Sequence, residues 1–359
     1  MKRALELLRA DDRDEAGTVG EVNTHVGRWA TRASGRAGQL VALELGDDES
    51  WRAIAADHPQ VARANGALIG LQWARHVLAR SCILAGDLAA AADLLEEDRL
   101  IAEVSGIPPV AHAEVMLAAW RGQEPAASEL INAILEEAAA RGLGRVADLG
   151  LCASLVLDNA LGCHDAARDT GRRLFERDPF GHAPFVIPEL AEAAARTGDF
   201  KLVEDVQNWM SMLTKATPTD WALGIEARVR ALAVSGDAAE SLYRESIARL
   251  SRTRLRAGRA RSHLLYGEWL RGERRRTDAR EQLRTALDML EAMGIEAFAD
   301  RARRELAATG ETARKRNAES SDQLTAQETQ VARLAVAGLS NADIAARLRP
   351  GKLSGRSLA

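Results

Sequence analysis

Apolar and polar residues along most of this chain recur with the period of an α-helix. Around Gly198, Leu190, Ala194 and Thr197 fall at i, i+4 and i+7, and beyond the glycine Val203, Val206 and Met210 resume the same spacing. Helical stretches of this kind come in pairs, each divided by a glycine with a polar or acidic residue close behind it. The dividers are Gly86-Asp87, Gly122-Gln123-Glu124, Gly162 through Asp165, Gly198-Asp199, Gly236-Asp237 and Gly272-Glu273. The pattern predicts helix, turn, helix: glycine supplies the left-handed residue that ends the first helix, and the acid suits the positive end of the second helix's dipole. Ala89 through Ala92 form a run of small side chains that lets a neighbouring helix come close.

Successive dividing glycines lie 36, 40, 36, 38 and 36 residues apart. That spacing is close to the roughly 34-residue tetratricopeptide period. One helix pair cannot bury its apolar face alone, so such units stack, and their inner surface is a natural platform for a protein or small-molecule effector. The sequence therefore predicts an all-α fold, with tetratricopeptide-like helical repeats over residues 1–308. From Thr309 to Gln323 the apolar periodicity stops, and 309–323 reads as a polar linker. Composition agrees with helices: apolar residues make up 47% and aromatics only 4%, and 69 of the 359 residues are alanine.

Charge narrows the function. A net charge of -4 excludes a protein that holds nucleic acid or membrane by bulk charge, and leaves only a local patch. One candidate is the stripe of nine arginines at 252, 254, 256, 259, 261, 271, 274, 275 and 276, which has only Glu268 and Glu273 for acids. It reads either as a contact for phosphates or an acidic partner, or as a solvated face of two helices with i, i+4 pairs; the second reading is favoured. Three cysteines, Cys82, Cys152 and Cys163, are too few and too scattered for a disulfide framework or a Cys-x-x-Cys site, which fits a cytoplasmic protein. Glu6 and Arg9 interrupt the apolar stretch that a signal peptide needs, and no run approaches the length of a membrane span.

Catalytic patterns are missing. The Gly351-Lys352 pair has Ala346 in place of the first glycine of a phosphate loop and Leu353 in place of its Ser or Thr. Gly142-Leu143-Gly144-Arg145-Val146-Ala147 matches G-x-G-x-x-A but follows a helical run, so it reads as a turn between helices. Cys163-His164-Asp165 sits at a repeat turn, where sequence neighbours point in different directions. No histidine pair has metal-ligand spacing. The expectation is a protein that is not an enzyme and carries no cofactor or metal.

The most informative stretch runs from Leu324 to Leu348. Thr325 and Glu328 have capping-box spacing and start a helix whose core face is Val331, Leu334 and Ala335. Gly338 ends it. Ser340 with Asp343 makes a second box, flanked by Leu339 and Ile344 as a hydrophobic staple, so a second helix begins at once and buries Ile344, Ala345 and Leu348. Two short helices across a tight turn open a helix-turn-helix.

This stretch, L-T-x-Q-E-x-Q-V-A-R-L-x-x-x-G-L-S-N-x-D-I-A-A-R-L, resembles the first half of a LuxR-type DNA-binding domain. Upstream, Arg261 to Arg271, Arg274 to Arg280 and Ala307 to Arg314 are similar to the last repeats and linker of the large ATP-binding LuxR regulators. That family combines an ATPase module, tetratricopeptide-like sensor repeats and a C-terminal helix-turn-helix. The resemblance implies a cytoplasmic transcriptional regulator that binds DNA through 324–359, with Thr325, Glu328, Arg333, Ser340, Asn341, Asp343 and Arg347 as the site, and homo-oligomerisation as a possible addition. It also leans the arginine stripe towards a structural role.

Two departures qualify what the resemblance implies. The sequence carries no ATPase module, so no nucleotide-driven switch is expected of it. Where the family has an S-x-x-T-V recognition helix and a fourth helix, this chain has Arg349-Pro350-Gly351-Lys352-Leu353-Ser354-Gly355-Arg356-Ser357-Leu358-Ala359. The expectation is a partial helix-turn-helix, frayed and with little direct base readout. The alternative from a different class is a protein-interaction scaffold of helical repeats without DNA-binding activity.

Overall fold

A computed structural model describes residues 41–64, 68–106, 112–178 and 181–310. The chain divides into two compact units, 1–310 and 311–359. Everything described here belongs to the first, and the residues expected to form a helix-turn-helix fall in the second, outside the described residues.

Among the described residues the fold is all-α, without strands. A helical turn at 41–44 precedes fourteen helices. The first five are α1 (Asp48–Ala64), α2 (Leu68–Ala85), α3 (Leu88–Ser105), α4 (His112–Arg121) and α5 (Ala126–Arg141). Next come α6 (Gly144–Leu161), α7 (His164–Glu176), α8 (Ala183–Arg196), α9 (Phe200–Ala216) and α10 (Asp220–Ala231). The last four are α11 (Gly236–Leu250), α12 (Arg256–Gly272), α13 (Arg276–Met293) and α14 (Glu296–Ala308).

All six dividing glycines fall between an even-numbered helix and the odd-numbered helix after it, or on the first or last residue of one of them. Gly86, Gly122, Gly162, Gly198 and Gly236 have φ between +63° and +84°, as a left-handed turn residue requires. The sixth turn differs. Gly272 closes α12 and the left-handed residue is Arg274, at φ 61°. The acids behind the glycines act as read at two turns, where Asp87 and Asp199 accept hydrogen bonds from the N–H groups of Ala90 and Leu202 and cap α3 and α9. The helical pattern read from 190 to 210 is the core: Leu190, Ala194, Val203, Val206 and Met210 are all buried, and Thr197 is half-buried.

Each helix packs against its neighbour in sequence, and the even-numbered helices also touch one another in succession: α2 on α4, α4 on α6, α6 on α8, α8 on α10. These inner helices do not leave an open face. α12 packs back onto α2, and α14 onto both α4 and α6. Trp120 of α4 meets Phe298 of α14 with ring centroids 6.0 Å apart. At the other junction Trp51 of α1 stacks on Trp221 of α10 at 6.3 Å, and the Thr219 hydroxyl donates to the Gly46 carbonyl at 2.6 Å. The inner surface that the repeat pattern offered as a binding platform is thus occupied by the chain's own first and last helices. The reason is local: Gly86 and Gly122 have no side chain where Met293 and Ala297 pack.

The segment read as linker from Thr309 begins inside the fold. Thr309 is fully buried, and Arg280 donates to its hydroxyl at 3.0 Å and its carbonyl at 2.8 Å. From residue 311 the linker lies outside the described residues.

Candidate functional site

Helix α8 reads Ala-Pro-Phe-Val-Ile-Pro-Glu-Leu-Ala-Glu-Ala-Ala-Ala-Arg, in which the charged residues Glu189, Glu192 and Arg196 fall at i, i+3 and i+7 on one narrow stripe of an otherwise apolar surface. Its apolar surface has to be covered, and eleven of its fourteen residues are buried, Glu189 and Glu192 on the charged stripe among them. Two carboxylates withdrawn from water in this way require cationic partners.

Those partners come from the other inner helices. Arg261 of α12, 1% exposed, donates from one terminal nitrogen to Glu189, at 3.0 Å, and to Glu192. Its guanidinium carbon also sits 3.8 Å from the centre of the Phe298 ring, a cation–π contact with α14. Arg301 of α14 pairs with Glu192 at 2.7 Å and grips Glu268 of α12 with two bonds of 2.7 and 2.8 Å. Its third nitrogen also donates to the Asn159 carbonyl at 3.3 Å. Arg196, at the end of α8 and partly exposed, pairs with the same Glu268. The Asn159 amide of α6 donates to both the carbonyl and the carboxylate of Glu189 at 2.9 Å. Five charged residues and an amide from α6, α8, α12 and α14 thus form one buried network, with Arg196 at its rim.

Its electrostatics follow from these ion pairs. Burial pushes the Glu192 carboxyl up, but Arg261, Arg301 and Arg196 outweigh burial and hold it well below the usual carboxylate range. Burial favours the neutral form of Arg301, yet Glu192 and Glu268 overcome this and hold it charged. Arg228, 3% exposed on α10, has no ion-paired carboxylate among the described residues. It donates to the Gly258 carbonyl at 3.0 Å, and burial, aided by repulsion from Arg261, lowers its pKa to about 10. Chemically the network can fasten helices to one another. Its Glu192 is ionised and paired with both Arg261 and Arg301, the opposite of a poised acid or base.

A second feature lies at the other junction. A small apolar cleft, partly open to solvent, is bordered by Ile187, Trp209, Met210, Leu213, Trp221 and Ile225. Glu44 is its one ionisable border residue. The Glu44 carboxylate accepts a 2.5 Å hydrogen bond from the Gly181 N–H, just ahead of α8. Burial pushes its pKa up to about 7, against the Gly181 N–H and with a further push from Asp178.

The arginine stripe resolves differently from the sequence expectation. Its pairs are long-range: Arg261 with Glu189 and Glu192, Arg271 with Glu305, Arg275 with Glu240, Arg252 with Asp220. Arg275 adds one local pair with Asp278. Arg261 is core and not solvated face, so the structural reading stands but its geometry does not. Gly142, left-handed, and Leu143 make the turn from α5 into α6, and 144–147 are the first residues of α6. His164 faces Asn159, at 3.3 Å, while Asp165 pairs with Arg168. All three cysteines are free.

Thr325, Glu328, Arg333, Ser340, Asn341, Asp343 and Arg347 lie outside the described residues, so the geometry brings none of them together. Sequence reasoning missed the buried network. The signal in α8 is partial: Glu189, Glu192 and Arg196 share one stripe of an otherwise apolar helix, a pattern that fits a solvated face as well as a buried charged seam. Among the described residues no helix is long and apolar enough to cross a membrane, and no three His, Cys, Asp or Glu side chains are grouped to hold a metal ion. Compared with protein-family models and with curated proteins, the chain matches none.

Proposed function

We propose that this chain is a LuxR-type transcriptional regulator, with tetratricopeptide-like repeats as its sensor or interaction region and DNA binding through 324–359. The observation that carries the reading is the run from Leu324 to Leu348, with its two capping boxes, hydrophobic staple and tight glycine turn. The all-helical unit with helix pairs at near-constant spacing agrees with the sensor part of that family. In this reading Thr325, Glu328, Ser340 and Asp343 start the two helices, and Arg333, Asn341 and Arg347 supply polar contacts to the DNA backbone. Cytoplasmic location follows from the role.

The test is gel retardation of a random-sequence duplex pool by the full chain at physiological salt, with sequencing of the retained fraction. Retention whose affinity falls as salt rises, with only weak enrichment of any sequence because the recognition helix is incomplete, is the expected result. Absence of retention at both low and physiological salt would overturn DNA binding. The second reading, a protein-interaction scaffold, would then take its place, supported by the extensive outer surface the helices leave.

A further inference from the structure

The buried network leaves one sequence motif without a role, the G-x-G-x-x-A run where α5 gives way to α6. The first turn of α6 holds no acid, and no side chain caps it. The N–H groups of Gly144 and Arg145 have no acceptor among the described residues. A side chain at Gly142 or Gly144 would meet nothing within 4 Å, so the space around this turn is open. The result is an accessible helix start with unanswered donors and a positive dipole end. Alone, that describes many helices.

Arg80 of α2 sets this one apart. It is 7% exposed, and its one hydrogen bond is a 3.3 Å contact to the Gly181 carbonyl. Its guanidinium carbon lies 4.7 Å from the centre of the Phe185 ring, its Nε has no hydrogen-bond partner, and no carboxylate pairs with it among the described residues. The connection from α7 to α8 that Arg80 touches at Gly181 also reaches α6, where Arg177 pairs with Asp148 at 3.6 Å. Arg145, exposed on the first turn of α6, has no ion pair among the described residues either. Its like charge adds to burial in lowering the Arg80 pKa to about 10, against the pull of Cys152 and Glu44. Buried Arg261 and Arg301, by contrast, each meet two carboxylates. The two acids nearest to this site are engaged, Asp148 with Arg177 and Glu44 with the Gly181 N–H.

We propose that the start of α6, together with Arg145 and Arg80, binds the phosphate group of a small molecule. A phosphate dianion matches two guanidiniums in charge, its oxygens suit their forked donors, and the free N–H groups of a helix start complete its shell. Binding supplies the counter-charge that the buried guanidinium of Arg80 lacks. The site gives the sensor region a ligand class, but it stands on residues of 1–310 and does not depend on DNA binding.

Isothermal titration of the full chain with inorganic phosphate, and separately with glycerol phosphate, tests it at constant ionic strength in chloride. One saturable site with a dissociation constant of about 1 mM or tighter is expected. Arg145→Ala removes an exposed, unpaired side chain, so the fold is kept, and affinity is expected to fall about tenfold or more. Arg80→Met is expected to weaken binding by a similar factor. Arg141→Ala is the control, since Arg141 is equally exposed nearby but paired with Glu137, and its affinity is expected to stay that of the unaltered chain. Tighter binding of glycerol phosphate assigns the site to a phosphomonoester, and tighter binding of inorganic phosphate to the free ion. Absence of saturable binding by both probes would overturn the site. So would binding that survives Arg145→Ala undiminished, because the anion would then sit elsewhere on the chain.

Discussion

Gly122→Ala isolates what closes the inner surface. The substitution has two separable costs. The first is conformational: Gly122 sits at φ +70°, and a left-handed L-residue costs about 1–2 kcal/mol, partly offset by a stiffer unfolded chain. Gly162→Ala carries the same cost, at φ +84°, with nothing within 4 Å of the added methyl. The second cost belongs to Gly122 alone. Its Cβ would lie 2.3 Å from the Ala297 Cβ, 3.0 Å from that residue's backbone nitrogen and 3.2 Å from its Cα. No flexible side chain can yield there, so α14 or the turn must retreat, at a cost of about 1–3 kcal/mol by comparison with overpacked cores. The expected result in matched urea unfolding curves is a loss of ~1 kcal/mol for Gly162→Ala and ~2–4 kcal/mol for Gly122→Ala. In calorimetry the extra loss appears as about 2 °C of Tm per kcal/mol at this size. Equal losses in the two variants would refute the argument that Gly122 is kept bare for Ala297.

Two further outcomes follow from the charged residues. Glu44, 5% exposed, has its pKa raised from an ordinary 4.5 to about 7. The folded state therefore holds the proton more tightly, and the stability this confers is complete below pH 4.5 and lost as the pH rises through 7, a swing of ~3 kcal/mol at most. Glu44→Gln is expected to remove that component from the pH dependence of unfolding free energy, and an unchanged profile would show that Glu44 titrates normally. Arg261→Met leaves Glu189 with only the Asn159 amide among the described residues and is expected to cost ~3–5 kcal/mol in chemical denaturation. Arg301→Met costs less, about 1–3 kcal/mol, because both of its carboxylates retain a guanidinium. The reverse order would contradict the wiring of the network.

Helix content, the pairing of helices and the glycine turns were determined by sequence alone. Each is a local consequence: periodicity specifies the buried stripe of one helix, and a glycine between stripes specifies a turn wherever its neighbours pack. Even the exception obeys local chemistry, since Gly272 ends α12 while Arg274 takes the left-handed angle two residues on. The burial of Glu189 and Glu192 was not legible in this way, because with Arg196 they form one charged stripe that a sequence alone reads as solvated, and their partners were equally hidden. Arg261 and Arg301 look like any other arginines in a chain with 43 of them. Whether an arginine is solvated or buried depends on which helix crosses it, and that helix can lie far away along the chain. Only the tertiary structure decided that α12 and α14 return to α2, α4 and α6, and so converted the inner surface of the repeats from an open platform into a closed, charge-stitched core. Periodicity repeats identically in every unit and carries no information about where the array ends meet. That is set by the accumulated rotation from unit to unit and by the close approach that bare Gly86 and Gly122 permit.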